Sequence, residues 1–259
     1  EFRWSESDTE RLKAMAAELV ALKVDAIITH GALGTRAAAQ ATKTIPIVIA
    51  DGPDPVAMGF AASLARPGGN VTGSTSFQSE IAAKRFELLK EVVPRLKRVA
   101  LLFNPLNPGN TFVLPEIAAA AKQMKVELHQ FSAKGPEEFS GAFTAMTKKR
   151  VEAAVIAEDP LLNANVGVIA ALSATHRLPT SGLTTLADAG GLLGYGANRQ
   201  VVYGRAAYFV DKILKGAKPG DIPIERATRF DLIINLKTAK ALGIKIPQQV
   251  LQRADRVIE

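Results

Sequence analysis

The stretch LKRVALLFNPLNPGN, residues 96–110, decides the fold of this chain. Its first half is a predicted strand, Arg98–Phe103, whose continuous apolar run is typical of the central strand of a parallel sheet, buried on both faces. Its second half is a polar loop with two prolines that leads into a helix. Ligands of such sheets bind just beyond the carboxyl ends of the strands, so this loop is a candidate binding surface.

Strands and helices alternate on both sides of this stretch. The predicted strands are 1–5, 24–29, 45–50, 71–77, 98–103, 126–131, 151–157, 178–181, 190–195 and 229–236. The first predicted helix follows a capping box at 7–10, and the second is short and alanine-rich and follows a loop at 30–35. The other predicted helices are 56–64, 80–93, 115–125, 137–149, 161–176, 199–215, 237–243 and 247–257. This alternation predicts an α/β fold with parallel sheets.

An internal repeat divides the chain into two similar parts. The segment Leu22–Ile28 is echoed by Lys149–Ile156, and Pro46, in a strand after one helix, is echoed by Pro179. The paired segments occur in the same order and at nearly the same spacing, which is the signature of a duplicated structural unit. We therefore expect two Rossmann-like (flavodoxin-like) lobes with parallel sheets.

The repeat also predicts a gap in lobe 1. Lobe 1 is expected at 1–94 plus 190–220, and lobe 2 at 95–189 plus 221–259. The strand Arg98–Phe103 and its helix have no counterpart in lobe 1, because that counterpart would precede Glu1. Lobe 1 is therefore expected to be incomplete at its N-terminus and to lack its central strand. The slot would be exposed, closed up, or filled by another chain, for example in a dimer.

Composition narrows the function classes. The chain has 259 residues, of which 47% are hydrophobic and 22% charged, a globular profile. It has no run of 18 apolar residues and no signal-peptide pattern at its start. The absence of Cys excludes disulfides and thiol nucleophiles, and three His argue against a histidine-rich metal site, so we expect neither metal nor cofactor. The net charge of +7 is spread along helices rather than concentrated, which argues against nucleic-acid binding.

Polar groups follow most of the predicted strands, where a ligand of this architecture would bind. The candidate ligand-binding residues are Gly31, Thr35, Asp51, Asp54, Ser74, Ser76, Asn104, Asn107, Asn110, Asp159, Thr184 and Tyr195.

Several candidates have a structural alternative. The three Asn are also turn and cap residues, and Asp54 before Pro55 is more easily explained as a helix cap. Tyr195 is expected either to stack on a ligand or to pack between the lobes, and Phe77 and Phe103 to lie in the core.

No catalytic set emerges from the sequence. The segment 31–35 lacks the Gly-Lys-Ser/Thr of a phosphate loop, although its backbone N–H groups at a helix start are able to hold a carboxylate. Glu158 and Asp159 are adjacent, so they do not straddle a scissile bond by themselves. His30 has no partner motif, and no Gly-x-Ser-x-Gly or His-Glu-x-x-His motif is present. We therefore expect no enzyme activity.

Five segments together resemble the signature of a bacterial family of ABC-transporter substrate-binding proteins. They are RPGGNVTG at 66–73, KRFELLKE at 84–91, AGGLLGYG at 189–196, VDKILKG at 210–216, and the tail from INLKTA at 234–239 to ADRVIE at 254–259. The resemblance implies the type I periplasmic-binding-protein fold, binding of tryptophan or another aromatic amino acid, and a signal peptide, strand and helix ahead of Glu1. Around 180–186 this chain carries Thr180, Ser181, Thr184 and Thr185 instead of the Tyr and Arg-Glu common in the family, which indicates a different small ligand.

The resemblance and the residues together predict a solute receptor for an ABC importer. It would bind a small organic molecule, an aromatic amino acid or a related aromatic or carboxylate compound, in the cleft between lobes that hinge near residues 94, 189 and 220–223. We expect it in the periplasm or on the extracytoplasmic face, with a permease as partner and no direct membrane contact. The alternatives are the ligand-sensing effector domain of a transcription regulator, and an α/β enzyme if Asp51 and Glu158 face each other.

Overall fold

The computed structural model describes residues 1–3 and 9–259. The strands are β1 Ile27–His30, β2 Ile47–Asp51, β3 Val71–Thr75, β4 Arg98–Phe103, β5 Glu127–Ser132, β6 Ala153–Ile156, β7 Thr180–Gly182, β8 Leu193–Ala197, β9 Glu225–Arg226, β10 Phe230–Asn235 and β11 Arg256–Ile258. The helices are α1 Thr9–Ala21, α2 Gly31–Ala41, α3 Gln78–Val92, α4 Asn110–Gln123, α5 Phe139–Lys148, α6 Pro160–Ala164, α7 Val166–Thr175, α8 Thr184–Asp188, α9 Arg199–Leu214, α10 Leu236–Leu242 and α11 Gln248–Leu251. Short 3₁₀ turns lie at Pro136–Glu138 and Pro219–Asp221.

The chain packs into two compact units, each made of three segments. Unit 1 consists of Glu1–Gln78, Asn107–Gly109 and Ala197–Arg229, and unit 2 of Ser79–Leu106, Asn110–Gly196 and Phe230–Glu259. These divisions differ from the predicted lobe boundaries, because most of α3 and β8 pack with unit 2, whereas residues 221–229 pack with unit 1.

The sheet of unit 1 is parallel, with the order β1-β2-β3-β9. Its β2 is buried throughout, and its side chains alternate between the two faces. Ile47 and Ile49 pack against a cluster that includes residues of α1 and α2, whereas Val48 and Ala50 pack against Ala206 and other residues of α9. Burial on both faces of this parallel strand explains why residues 45–50 are almost continuously apolar.

In the described residues, β1 is the edge strand of this sheet. In unit 2, β6 is paired on both sides, with β4 and β7. Its counterpart in unit 1, β1, is paired with β2, and the residues that the structure describes place no strand on its other side. The side chain of Ile28 is 52% exposed there. Within the described residues, β1 therefore has a paired strand on one side only.

The sheet of unit 2 contains the stretch that decides the fold. Its order is β11-β10-β8-β7-β6-β4-β5, and β4 pairs in parallel with both β5 and β6. Residues Val99–Leu102 are completely buried, in the largest hydrophobic cluster of the described chain. The prediction that Arg98–Phe103 is a central buried strand is confirmed.

A carboxylate holds the start of β4 in place. The Glu152 Oε2 atom accepts hydrogen bonds from the backbone N–H of Lys97 (2.6 Å) and of Arg98 (3.1 Å), and Oε1 accepts one from the Arg98 guanidinium (3.1 Å). Burial works against ionisation of this carboxyl, but the two N–H groups and the Arg98 charge favour the anion, and the pKa of Glu152 is lowered. Hydrogen bonds of this kind to a charged group stabilise a fold.

Replacing Glu152 with Gln should therefore lower the free energy of unfolding by about 1 kcal/mol at neutral pH, since the group is one-third exposed and screened by water. Because the folded-state pKa lies below the ordinary value of 4.5, the advantage of Glu over Gln is present above pH 4.5 and is lost as pH falls through the folded-state pKa. Urea unfolding of both proteins between pH 7 and pH 3 measures this. A difference that stays constant with pH would contradict the assignment.

Four of the predicted elements are wrong. Residues 1–3 are not in a strand; residues 4 and 5 and the capping box that begins at Ser7 lie outside the described residues. Residues 31–35 form the first turn of α2 rather than a loop. Residues 56–64 form hydrogen-bonded turns instead of a helix, and Gly59 takes a left-handed conformation (φ +73°) one turn after Pro55. The tail helix ends at Leu251, because residues 256–258 pair with β10 as β11.

Candidate functional site

Three predicted site residues meet at the carboxyl edge of the unit 2 sheet. The Asn104 Nδ2 atom donates to both carboxylate oxygens of Asp159 (3.2 and 3.3 Å), and the Asn110 Nδ2 atom donates to the Asn104 carbonyl. Asp159 also caps α6 by accepting from the backbone N–H of Leu161 (2.8 Å). These groups hydrogen-bond one another and the backbone, so they fix the loops after β4 and β6.

A buried ion pair lies beside this network. The Arg85 Nη2 atom of α3 is 3.2 Å from Glu158 Oε2, and the two side chains are 1% and 8% exposed. The Arg85 Nε atom donates to the carbonyl of Tyr195 (2.8 Å), which joins α3 to the ends of β6 and β8. Arg85 was not predicted as a site residue, although it stands in the apolar stripe of α3, one turn from the buried Ala82 and Leu89.

An aromatic pair forms part of the same edge. The ring of Tyr195 in β8 stacks on Phe230, with centroids 5.9 Å apart and an angle of 17° between the planes. Burial raises the pKa of the Tyr195 hydroxyl, which therefore stays neutral. Phe230 begins β10 and was not predicted as a site residue. The sequence signal for Phe230 is an aromatic residue next to the start of the predicted strand 229–236.

Hydroxyl groups line β7 and the start of α8. Thr184 is the first residue of α8 and is partly exposed. The hydroxyls of Thr180, Ser181 and Thr185 are buried, and within the described part of the chain they have no hydrogen-bond partner. Unpaired buried hydroxyls are costly, so they mark a place where a water or a ligand group belongs.

In unit 1, Gly31 and Thr35 lie in the first turns of α2. Gly31 has φ +72°, a conformation that favours glycine. The Thr35 hydroxyl is buried and donates to the Gly31 carbonyl (2.8 Å), and its oxygen is 3.0 Å from that of Thr29. Thr35 is therefore used inside its own helix.

The two Asp candidates of unit 1 bind neighbouring backbone groups. Asp51, at the end of β2, is 4% exposed, and its Oδ1 accepts from the N–H of Gly52 (2.9 Å). Asp54 accepts from the N–H of Val56 (2.8 Å) and of Ala57 (3.3 Å), so it caps the following turn. The capping interpretation of Asp54 is confirmed, with a turn in place of the expected helix.

The end of β3 carries the remaining candidates of unit 1. Ser74 and Ser76 are buried, and the Ser76 hydroxyl has no hydrogen-bond partner among the described residues. Between them, the Thr75 hydroxyl lies within hydrogen-bond distance of two carbonyls, those of Gly52 (3.0 Å) and Pro53 (3.2 Å). Phe77 is partly exposed and belongs to neither core cluster of unit 1, so its predicted core position is wrong.

Asn107 is the one predicted Asn that packs with unit 1. Its Oδ1 accepts from the N–H of Gly109 (2.9 Å), which makes it a turn residue. Phe103, at the end of β4, packs against the core of unit 2 as expected.

A metal site and a surface groove are two other kinds of functional centre. Within residues 1–3 and 9–259, no three His, Cys, Asp or Glu side chains converge on a metal-sized site. A surface groove of about 560 Å³ lies in unit 2 near the tail, and none of the predicted site residues lines it. Its lining residues are Leu236, Ala239, Lys240, Gly243, Ile244, Lys245, Ile246 and Leu251.

Comparison with known proteins identifies relatives over the whole chain. The family model described as ABC transporter substrate binding protein matches residues 1–258. A protein of Clostridioides difficile described as a tyrosine-binding protein is 25% identical over 246 residues, which cover 95% of this chain and 70% of that protein.

Solved structures share the fold closely. An ABC domain from Streptococcus pneumonia in complex with L-Trp is 27% identical, with a TM-score of 0.93 over 100% of this chain and 87% of that chain. A conserved domain protein from Vibrio cholerae is 25% identical, with a TM-score of 0.93 over 99% of this chain and 86% of that chain. The expected type I periplasmic-binding-protein fold is confirmed by these structures.

Proposed function

Because this chain belongs to the family of ABC transporter substrate-binding proteins, we propose that it is the extracytoplasmic receptor of an importer for a small aromatic solute. The match of the family model to residues 1–258 is the observation that carries this proposal. Membership of a transport family argues against the alternative that the chain is the effector domain of a transcription regulator. In the described residues no helix is long and apolar enough to cross a membrane.

The proposed solute is an aromatic amino acid or a related aromatic carboxylate. Support comes from two relatives, one described as tyrosine-binding and one solved with L-Trp. At 25–27% identity, the ligands of these relatives do not fix the ligand of this chain. We expect its selectivity to differ from theirs through the hydroxyl-rich segment 180–185. The proposed partner is a permease in the membrane, and the proposed location is the periplasm.

Among the candidate residues, we propose direct ligand contacts for Ser76, Thr184 and Tyr195. The Ser76 hydroxyl is buried and unpaired in the described chain, Thr184 is partly exposed at the start of α8, and Tyr195 offers a ring. By contrast, Thr35, Asp54 and the Asn104 network bind their own loops, so we propose that they shape the site. The backbone of Gly31 remains a candidate for a ligand carboxylate.

A thermal-shift screen tests the proposed function. The probes are L-tryptophan, L-tyrosine, phenylacetate and, as a non-aromatic control, L-leucine. A ligand at 100 times its Kd stabilises the folded protein by about 2.7 kcal/mol, which raises the unfolding midpoint measurably. A midpoint that no probe raises would contradict the proposal.

Replacing Tyr195 with Ala should weaken binding of the best aromatic probe by about tenfold or more. The change removes the ring that we propose contacts the ligand and that Phe230 holds by stacking. Replacing Tyr195 with Phe keeps the ring and should cost less than about threefold. Titration calorimetry on the three proteins measures the difference. Equal affinities for wild type and Y195A would remove Tyr195 from the site.

A further inference from the structure

Phe77 has a backbone conformation that its position does not explain. Five non-glycine residues of the described chain have positive φ angles. Four of them, Lys23, Lys125, Arg150 and Arg177, lie just after helices, where left-handed residues are common. Phe77, at φ +51°, lies instead between the end of β3 and the start of α3. A left-handed conformation is unusual for a bulky residue at a helix start.

A backbone hydrogen bond and a contact between a guanidinium and the ring hold Phe77 in this conformation. Its backbone N–H donates to the Thr75 hydroxyl oxygen (3.3 Å), which is itself within hydrogen-bond distance of the carbonyls of Gly52 and Pro53. The guanidinium of Arg226, in β9, lies 4.2 Å from the centroid of the Phe77 ring. Strained residues that are held this firmly occur preferentially at functional sites, where the strain positions a side chain.

The ring is therefore placed for contact at the carboxyl edge of the unit 1 sheet. It is partly exposed and lies outside the hydrophobic clusters of unit 1, so packing of the core does not account for its position. Its neighbour Ser76 is 4% exposed and has a buried hydroxyl without a hydrogen-bond partner in the described chain. A ring and an unsatisfied hydroxyl side by side fit a ligand that has both an aromatic part and a polar group.

We propose that Phe77 is the aromatic wall of the ligand site in unit 1, with Arg226 as its positioning residue. The ligand's aromatic ring packs on Phe77, and the ligand's polar group hydrogen-bonds to the Ser76 hydroxyl. This inference rests on the proposed function and adds to it the residue that selects aromatic over aliphatic solutes.

Replacing Phe77 with Gly separates the two roles of this position. Glycine adopts positive φ without strain, so F77G should raise the unfolding midpoint of the ligand-free protein, or leave it unchanged where the lost Arg226 contact offsets the gain. The same change removes the ring and should weaken binding of L-tryptophan or phenylacetate by about tenfold or more. If Phe77 had only a structural role, the F77G protein would not combine unchanged stability with a lost affinity for the aromatic probe.

The matched control is Lys125→Gly. Lys125 is exposed, has φ +55° and lies after α4, away from any candidate residue. K125G should raise the midpoint and leave the affinity for every probe unchanged. A second variant, Phe77→Tyr, keeps a ring in place and should keep the affinity within about threefold of wild type.

The outcomes separate this inference from the proposed function. Wild type that binds an aromatic probe, with affinity lost in F77G and kept in F77Y and K125G, supports both. Affinity kept in F77G overturns the aromatic wall and leaves the proposed function standing. Binding of L-leucine but of no aromatic probe overturns both the wall and the aromatic solute class, and leaves only the role of a solute receptor standing. No binding of any probe overturns the wall and the proposed function together. In R226M, a preference for aromatic probes equal to that of wild type overturns the positioning role.

Discussion

Substituting Arg85 with Met should lower the free energy of unfolding by about 3–5 kcal/mol, one of the two largest effects expected in this protein. The change leaves the carboxylate of Glu158, whose side chain is 8% exposed, without its cation. It also removes the hydrogen bond from Arg85 Nε to the Tyr195 carbonyl. A buried charge without a partner costs far more than the intact pair contributes.

The double variant R85M/E158L tests this explanation. Removing both charges should recover most of the loss, because no unpaired charge remains and apolar groups fill the space. The exposed pair Arg253–Glu91, with side chains 46% and 38% exposed, provides the control, and R253M should cost less than about 1 kcal/mol. Urea unfolding of the four proteins measures each value. If R85M behaves like R253M, the pair is not buried in solution as described.

The second large effect is expected at Gly73, in the middle of β3. Gly73 has φ +129°, and a Cβ atom added there would lie 2.2 Å from the Ile49 carbonyl oxygen and 2.5 Å from the Ile49 nitrogen. Both atoms belong to the backbone of β2, the fully buried neighbouring strand, so they are unable to move aside without breaking the ladder. Replacing Gly73 with Ala should therefore cost more than about 4 kcal/mol.

Gly69, four residues earlier, provides the matched comparison. A Cβ atom at Gly69 would meet nothing within 4 Å, and its φ is not left-handed. G69A should change the free energy of unfolding by less than about 0.5 kcal/mol. Circular dichroism melts of both variants give the difference. A G73A protein as stable as G69A would mean that β2 and β3 do not approach each other as closely as described.

The sequence predicted the parts of the fold that depend on burial along one strand. The apolar runs at 45–50 and 98–103 depend on local pattern, and they located β2 and β4. Segments whose structure depends on distant partners were not predicted. The tail became β11 because its backbone pairs with β10, and residues 56–64 carry helix formers yet form turns around Gly59.

The sequence predicted which loops carry the candidate residues, but not the hydrogen bonds of their side chains. Sequence position placed Asn104, Asp159 and Ser76 at strand ends, but it does not reveal which hydrogen bonds a side chain has already made. Arg85 and Phe77 were misjudged for a related reason. The burial of Arg85 depends on Glu158, and the ring of Phe77 is held by Arg226, and both partners are remote in sequence.

Each unit is built from segments that are far apart in the sequence, and this has a consequence for synthesis on the ribosome. The sheet of unit 1 is completed by β9, and the hydroxyl of Thr72 binds the carbonyl of Ile222 across 150 residues of chain. The sheet of unit 2 likewise ends with β10 and β11 from the last segment. Unit 1 is therefore unable to close before residues 222–226 have been made, and unit 2 is unable to close before residues 230–258 have been made. A chain that folds this late is suited to factors that hold it unfolded until synthesis is complete.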